Sequence, residues 1–71
     1  MEKRRFLVAY SFKGNLGYSV FANDEIILNS EEIFDERDIP ILLKRKMQKI
    51  SIGDIYPVKT LINFWEIRDK S

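Results

Sequence analysis

Between Arg4 and Glu25 the chain reads RRFLVAYSFKGNLGYSVFANDE, two alternating apolar runs joined by a loop that holds Gly14, Asn15 and Gly17. Successive side chains of a strand point to opposite faces. Phe6, Val8, Tyr10 and Phe12 therefore fall on one side of the first run, and Leu7, Ala9 and Ser11 on the other. A period of two over this length specifies a β-hairpin with one strongly apolar face. That face needs a cover, and the remaining sequence is composed to supply one.

Size limits how that is done. A chain of 71 residues is read as a single domain over 1–71, and at this size folding removes only about 60% of the unfolded chain's surface from water. There is no cysteine and no histidine, which rules out a disulfide staple and the thiolate and imidazole ligand sets of zinc and copper. No cofactor or metal is expected. Stability is left to packing and self-association, and a homodimer is expected. Hydrophobic residues at 45% and charged residues at 32% fit a globular chain rather than a disordered one. After Arg4-Arg5, only Phe6 to Ala9 form an unbroken apolar run. That is too short for a signal-peptide core or a membrane span, so a cytoplasmic protein without membrane contact is expected.

The second strand is expected over Tyr18 to Asn23, after a turn at Lys13 to Gly17 where glycine and asparagine supply positive φ. Asp24-Glu25 reads as an interruption. Ile26 to Leu28 then either extends the strand past a bulge or forms a short extra edge piece. A helix is expected from Asp35 or soon after, with Asp35 and Asp38 as caps and Pro40 in the first turn. Ile39, Leu42, Leu43, Met47 and Ile50 make its apolar stripe. Lys44, Arg45, Gln48 and Lys49 take the outer side, and Gly53 is a stop signal one turn late. Val58 to Arg68 reads as a third strand, with Val58, Ile62 and Phe64 on one face and Leu61, Trp65 and Ile67 on the other. Asp69-Lys70-Ser71 reads as a frayed tail.

The order β-β-α-β gives an α+β fold, a three-stranded mainly antiparallel sheet with one helix packed on one face. The third strand fits either antiparallel beside the first or parallel beside the second. The first is favoured, giving the order 2-1-3. The back of that sheet then carries Leu7, Phe21, Trp65 and Ile67 in the open, unless Trp65 belongs to the domain's own core.

The residues available for chemistry are few. Glu31-Glu32 and Asp35-Glu36-Arg37-Asp38 are the paired carboxylates that acid–base work or a magnesium site would need. Helix capping and an acidic loop account for them more simply. Gly14, Gly17 and Gly53 match no phosphate-binding loop. No catalytic residue is assigned, and a non-enzymatic protein is expected. Net charge is only +1, so no global field draws in nucleic acid. The charge is nevertheless lopsided, acidic from Asp24 to Asp38 and basic from Lys44 to Lys49.

Two resemblances bear on function. Lys13-Gly14-Asn15-Leu16-Gly17-Tyr18-Ser19-Val20-Phe21 resembles the RNP1 strand of RNA-recognition motifs, with one inserted residue after Gly14 and Leu16 where the first aromatic stands. That resemblance implies sheet aromatics stacking on unpaired bases and a basic residue at the phosphate, which on the matched stretch means Tyr18 and Phe21 with Lys13. The opening Lys3-Arg4-Arg5-Phe6-Leu7-Val8-Ala9-Tyr10-Ser11-Phe12-Lys13-Gly14, with Gly17-Tyr18-Ser19-Val20-Phe21, is similar to very small phage and prophage proteins. Those run from such a hairpin through one helix into a last strand. The acidic segment Asp24 to Asp38 and the Trp65 strand depart from that pattern. This second resemblance implies an accessory product that acts on a host protein by occupying a surface, and carries over no functional residues. The leading expectation is thus a protein-interaction module. Its hypothetical anchors are Leu7, Phe21, Trp65 and Ile67, with Lys44, Arg45 and Lys49 as a charged rim. Single-stranded nucleic-acid binding through Lys13, Tyr18, Phe21 and Trp65 is the alternative.

Overall fold

A computed structural model describes residues 2–68. The tail Asp69-Lys70-Ser71 lies outside the described residues. β1 (Lys3–Lys13) and β2 (Ser19–Asn29) form the hairpin, a 3-10 turn (Ser30–Glu32) follows, and α1 (Asp38–Met47) leads to β3 (Thr60–Ile67). The sheet is antiparallel in the order β2-β1-β3, so the most apolar strand is the central one, as the alternation requires. Gly17 supplies the positive φ of the hairpin turn, at 84°, which a residue with a Cβ adopts only under strain.

β2 runs unbroken through Asp24-Glu25, correcting both the interruption and the separate strand at 26–28. The two acids are held by partners on β1. Asp24 lies on the helix side and accepts a hydrogen bond from the buried Tyr10 hydroxyl. Glu25 lies on the opposite side and pairs with the Arg5 guanidinium, Nη2 to Oε1 at 2.9 Å. Each carboxylate thus has a cross-strand ligand, and the ladder Lys3↔Asn29 to Lys13↔Ser19 keeps one register throughout.

The helix packs its stripe on the even-numbered face of the hairpin. Phe6, Val8, Tyr10, Ile26 and Leu28 from the sheet bury against Ile39, Leu43 and Met47, with Leu42 and Ile50 packed at the margin. Acids organise the entry to the helix. Asp35 Oδ1 accepts the Arg37 N–H at 2.9 Å and Asp38 Oδ2 accepts the Asp35 N–H at 3.1 Å, a reciprocal pair that shapes the turn before the helix. The first-turn N–H groups of Asp38 and Ile39 bond the Asp35 and Glu36 carbonyls instead, which corrects the expectation that these acids cap the helix. Pro40 is the third helical residue, where its missing N–H breaks no bond.

Two expectations about the second half are corrected. The helix ends at Met47, and Gln48 just beyond it turns inward rather than taking the outer side. Its carboxamide takes the Lys59 N–H at 2.9 Å and donates to the Lys59 carbonyl at 2.7 Å, copying a strand's pairing where the sheet has not yet begun. Gly53 instead occupies the tight turn between Ile52 and Ile55, with φ 63°. In β3 a bulge interrupts the pairing between Ala9↔Asn63 and Tyr10↔Leu61. The extra residue puts Leu61 and Phe64 together on the core side, and leaves Ile62 exposed. Strict alternation had separated Leu61 from Phe64, and the bulge is why that assignment fails.

The molecule measures 42 × 25 × 21 Å, with a radius of gyration of 13.2 Å where a compact chain of this length has about 11 Å. The excess comes from the hairpin, whose turn end projects beyond the helix.

Candidate protein-interaction face

Among the described residues, no element packs on the odd-numbered face of the sheet. Register fixes its layout: Leu7 stands between Glu25 and Trp65, and Arg5 between Ile27 and Ile67. Trp65 is 49% exposed and Ile27 46%, which removes Trp65 from the core and leaves it on the open side. Leu7, Trp65, Ile27 and Ile67 therefore form one apolar patch at the end of the sheet away from the hairpin turn. Arg5 crosses its centre and is neutralised in place. Nε and Nη2 bond the two Glu25 oxygens at 3.1 and 2.9 Å, and this bonding holds the Glu25 carboxyl below its usual range. A neutralised ion pair inside an apolar patch makes the surface suited to an uncharged or mixed protein surface.

Of the four expected anchors, Leu7, Trp65 and Ile67 come together and Phe21 does not. Phe21 shares the face and is 72% exposed. It pairs with Ser11, four residues along from Leu7 and one strand away from the Trp65 side. By strand geometry the separation from Trp65 is roughly 13 Å along the sheet and about 10 Å across it. Ile27 takes the place expected of Phe21. The signal for it was present, since alternation carried through Asp24-Glu25 puts Ile27 with Phe21 and Asn23 on the odd face. Reading the two acids as a break concealed it.

The charged rim is not a rim. Lys44 and Arg45 are exposed on the helix and Lys49 just after its end, and the helix covers the face opposite Trp65. The nucleic-acid set is divided in the same way. Lys13 pairs with Ser19 and lies near Phe21 on the open face. Tyr18 falls with Val20 on the other side, where both line a shallow hollow under the turn with Gly14, Asn15 and Leu16.

The acidic segment is spent on structure. Glu32 accepts the Asn29 N–H at 2.8 Å and the Lys46 ammonium at 3.2 Å. Glu36 and Glu66 share the Arg4 guanidinium, which bonds Glu66 through Nε and Nη2 at 2.8 Å each and Glu36 through Nη1 at 2.9 Å. Hydrogen bonds from Arg4 are the main cause holding both carboxyls below their usual range. Arg4 also lies 5.5 Å above the Phe6 ring. This cluster ties β1, β3 and the loop before the helix into one body. Among the described residues no group of three or more acids is placed to hold a metal ion, and no helix is long and apolar enough to cross a membrane. Comparison with known proteins found no matching family model, no matching curated protein and no matching solved structure.

Proposed function

We propose that this protein is a non-enzymatic interaction module that modulates a host protein by covering part of its surface with the open sheet face. The observation that carries the reading is the direct pairing of Leu7 with Trp65 on a face that no element among the described residues covers. Half-exposed tryptophan on a rigid sheet is a favourable interface anchor, because it buries a large area at little entropic cost. The neutralised Arg5–Glu25 pair in the patch favours a protein over a polyanion. The similarity of the hairpin to small phage and prophage proteins points to a host protein as the partner and to the cytoplasm as the compartment.

The test compares three forms of the protein as bait in host lysate: wild type, the double variant Trp65→Thr and Ile27→Thr, and the triple variant Lys44→Ser, Arg45→Ser and Lys49→Ser. Threonine keeps strand propensity while removing the apolar bulk. Protein captured by the wild type and the helix variant, and lost from the sheet variant, is the expected result. Loss confined to the helix variant refutes the reading. Trp65 is the only tryptophan, so its fluorescence separates the nucleic-acid alternative. Quenching by single-stranded oligonucleotide that weakens with salt would put bases on the sheet.

A further inference from the structure

The two edges of the sheet are guarded unequally. β3 is short and bulged beside Ile62, and its outward Phe64 N–H is taken by the adjacent Asn63 Oδ1 at 2.8 Å. Both devices keep an edge from pairing with another chain. β2 has neither. The bond from the Gly14 N–H to the Tyr18 carbonyl, at 2.9 Å, sets the alternation of the hairpin ladder. Even-numbered residues of β2 bond β1, and odd-numbered residues aim their N–H and C=O groups away from it.

That free edge has defined ends. On the turn side the Gly17 N–H bonds the Gly14 carbonyl at 3.0 Å. On the other side the Asn29 N–H bonds Glu32 at 2.8 Å. Between them Ser19, Phe21, Asn23, Glu25 and Ile27 present their backbones to the open edge, over a stretch with no proline, lysine or bulge. The middle residue is Asn23.

We propose that a second copy of this chain pairs along this edge, β2 antiparallel to β2, on a two-fold axis through Asn23. Rotation about that residue sets Ser19 against the partner's Ile27, Phe21 against the partner's Glu25, and Asn23 against itself, so every outward backbone group meets another. The charges agree with this axis. Asp24 faces the partner's Ala22 rather than another acid. Moving the axis one residue to Asp24 would oppose two carboxylates directly, which disfavours that register. The apolar side chains agree as well. Val20 is exposed on the projecting end of the hairpin and comes beside the partner's Ile26, next to the half of the sheet that the other helix covers. The product is one six-stranded sheet with both helices on the same face. The edge shares Glu25 and Ile27 with the Trp65 patch but engages their backbone groups rather than their side chains, so mass and cross-linking test the pairing while partner capture tests the patch.

Cysteine placed on the axis tests the register in a chain that has none of its own. Facing α-carbons in a hydrogen-bonded antiparallel pair lie about 5.5 Å apart, inside the roughly 4.4–6.8 Å that a disulfide spans. Asn23→Cys should therefore cross-link under mild oxidation. Ser19→Cys should not, because its counterpart stands eight residues off register, roughly 26 Å away. Light scattering of the wild type should return twice the 8.5 kDa chain mass. Asn23→Pro removes the outward N–H at the axis without touching the β1 ladder, and should return the single-chain mass with an unchanged circular dichroism spectrum. A single-chain mass for the wild type at the highest soluble concentration would overturn the proposal and leave the edge to an extended segment of another protein. Equal oxidation of Ser19→Cys and Asn23→Cys would overturn the register.

Discussion

Tyr10→Phe removes one hydroxyl, and the structure says what that hydroxyl does. The ring is 1% exposed and its O–H donates to the Asp24 carboxylate. A hydrogen bond to a charged group contributes about 1.5–3 kcal/mol. A domain of this length is stable by roughly 4–10 kcal/mol in all, so the loss is a large share. At roughly 4–8 °C per kcal/mol, the thermal midpoint should fall on the order of 10 °C. Burial, and after it the bond to Asp24, push the Tyr10 pKa from 10.0 up to about 12. The folded value is raised, so the stability it carries is fully present below pH 10 and is lost as pH rises through about 12. At 1.36 kcal/mol per pH unit, that alkaline loss is on the order of 2–3 kcal/mol. Urea melts followed by circular dichroism, at fixed protein concentration, measure both quantities. The gap between wild type and Tyr10→Phe should be about 1.5–3 kcal/mol at neutral pH and should shrink toward zero as pH rises past the folded value. Every other group is common to both proteins and cancels in the difference. A neutral-pH gap below about 0.5 kcal/mol, the scatter of ordinary surface changes, would refute the assignment. So would a gap that persists undiminished at high pH.

Leu43 is fully buried against the sheet, and Leu43→Ala should cost about 2–5 kcal/mol, whereas Trp65→Thr on the open face should cost about 1 kcal/mol through its lost pairing with Leu7; urea melts of the two rank them. Glu66 and Glu36 have folded pKa values depressed by Arg4, so their contribution is present above the ordinary carboxylate range and lost as pH falls through the lower folded values. Glu66→Gln should therefore be less stable than wild type at neutral pH and show a shallower decline below about pH 4, near the unfolded Glu value. Gln48→Ala leaves both Lys59 backbone groups without their side-chain partner and should cost about 1–3 kcal/mol, with faster hydrogen exchange of the Lys59 amide.

The two faces of β1 and the helix stripe of Ile39, Leu43 and Met47 were legible because each follows from periodicity inside one element, whereas the strand order was the favoured of two arrangements the sequence allowed. The failures have one physical origin: they depend on a partner distant in sequence. Asp24 and Glu25 look like a break until Tyr10 and Arg5 supply their ligands from the neighbouring strand. Gln48 looks like surface until Lys59 brings it two backbone groups. The Ile62 bulge leaves no trace in residue type, since a leucine, an isoleucine and a phenylalanine satisfy either alternation. The site followed the same rule. The placement of Leu7, Trp65 and Ile67 on the open face could be read from their own strands, while that of Ile27 and the separation of Phe21 needed the register across the sheet.

The central position of β1 also fixes the order in which the sheet can assemble. Its contacts with β2 are local, as in the Arg5–Glu25 pair 20 residues apart, while the Arg4–Glu66 bonds bridge 62 residues. Closing the shorter loop comes first because it costs less chain entropy. Until β3 docks, β1 is itself an open edge, rich in aromatic and apolar residues, with Arg4 lacking the Glu66 carboxylate that later holds it. The step that hides β1 is then the one that closes the longest loop, and refolding yield should fall with protein concentration for that reason.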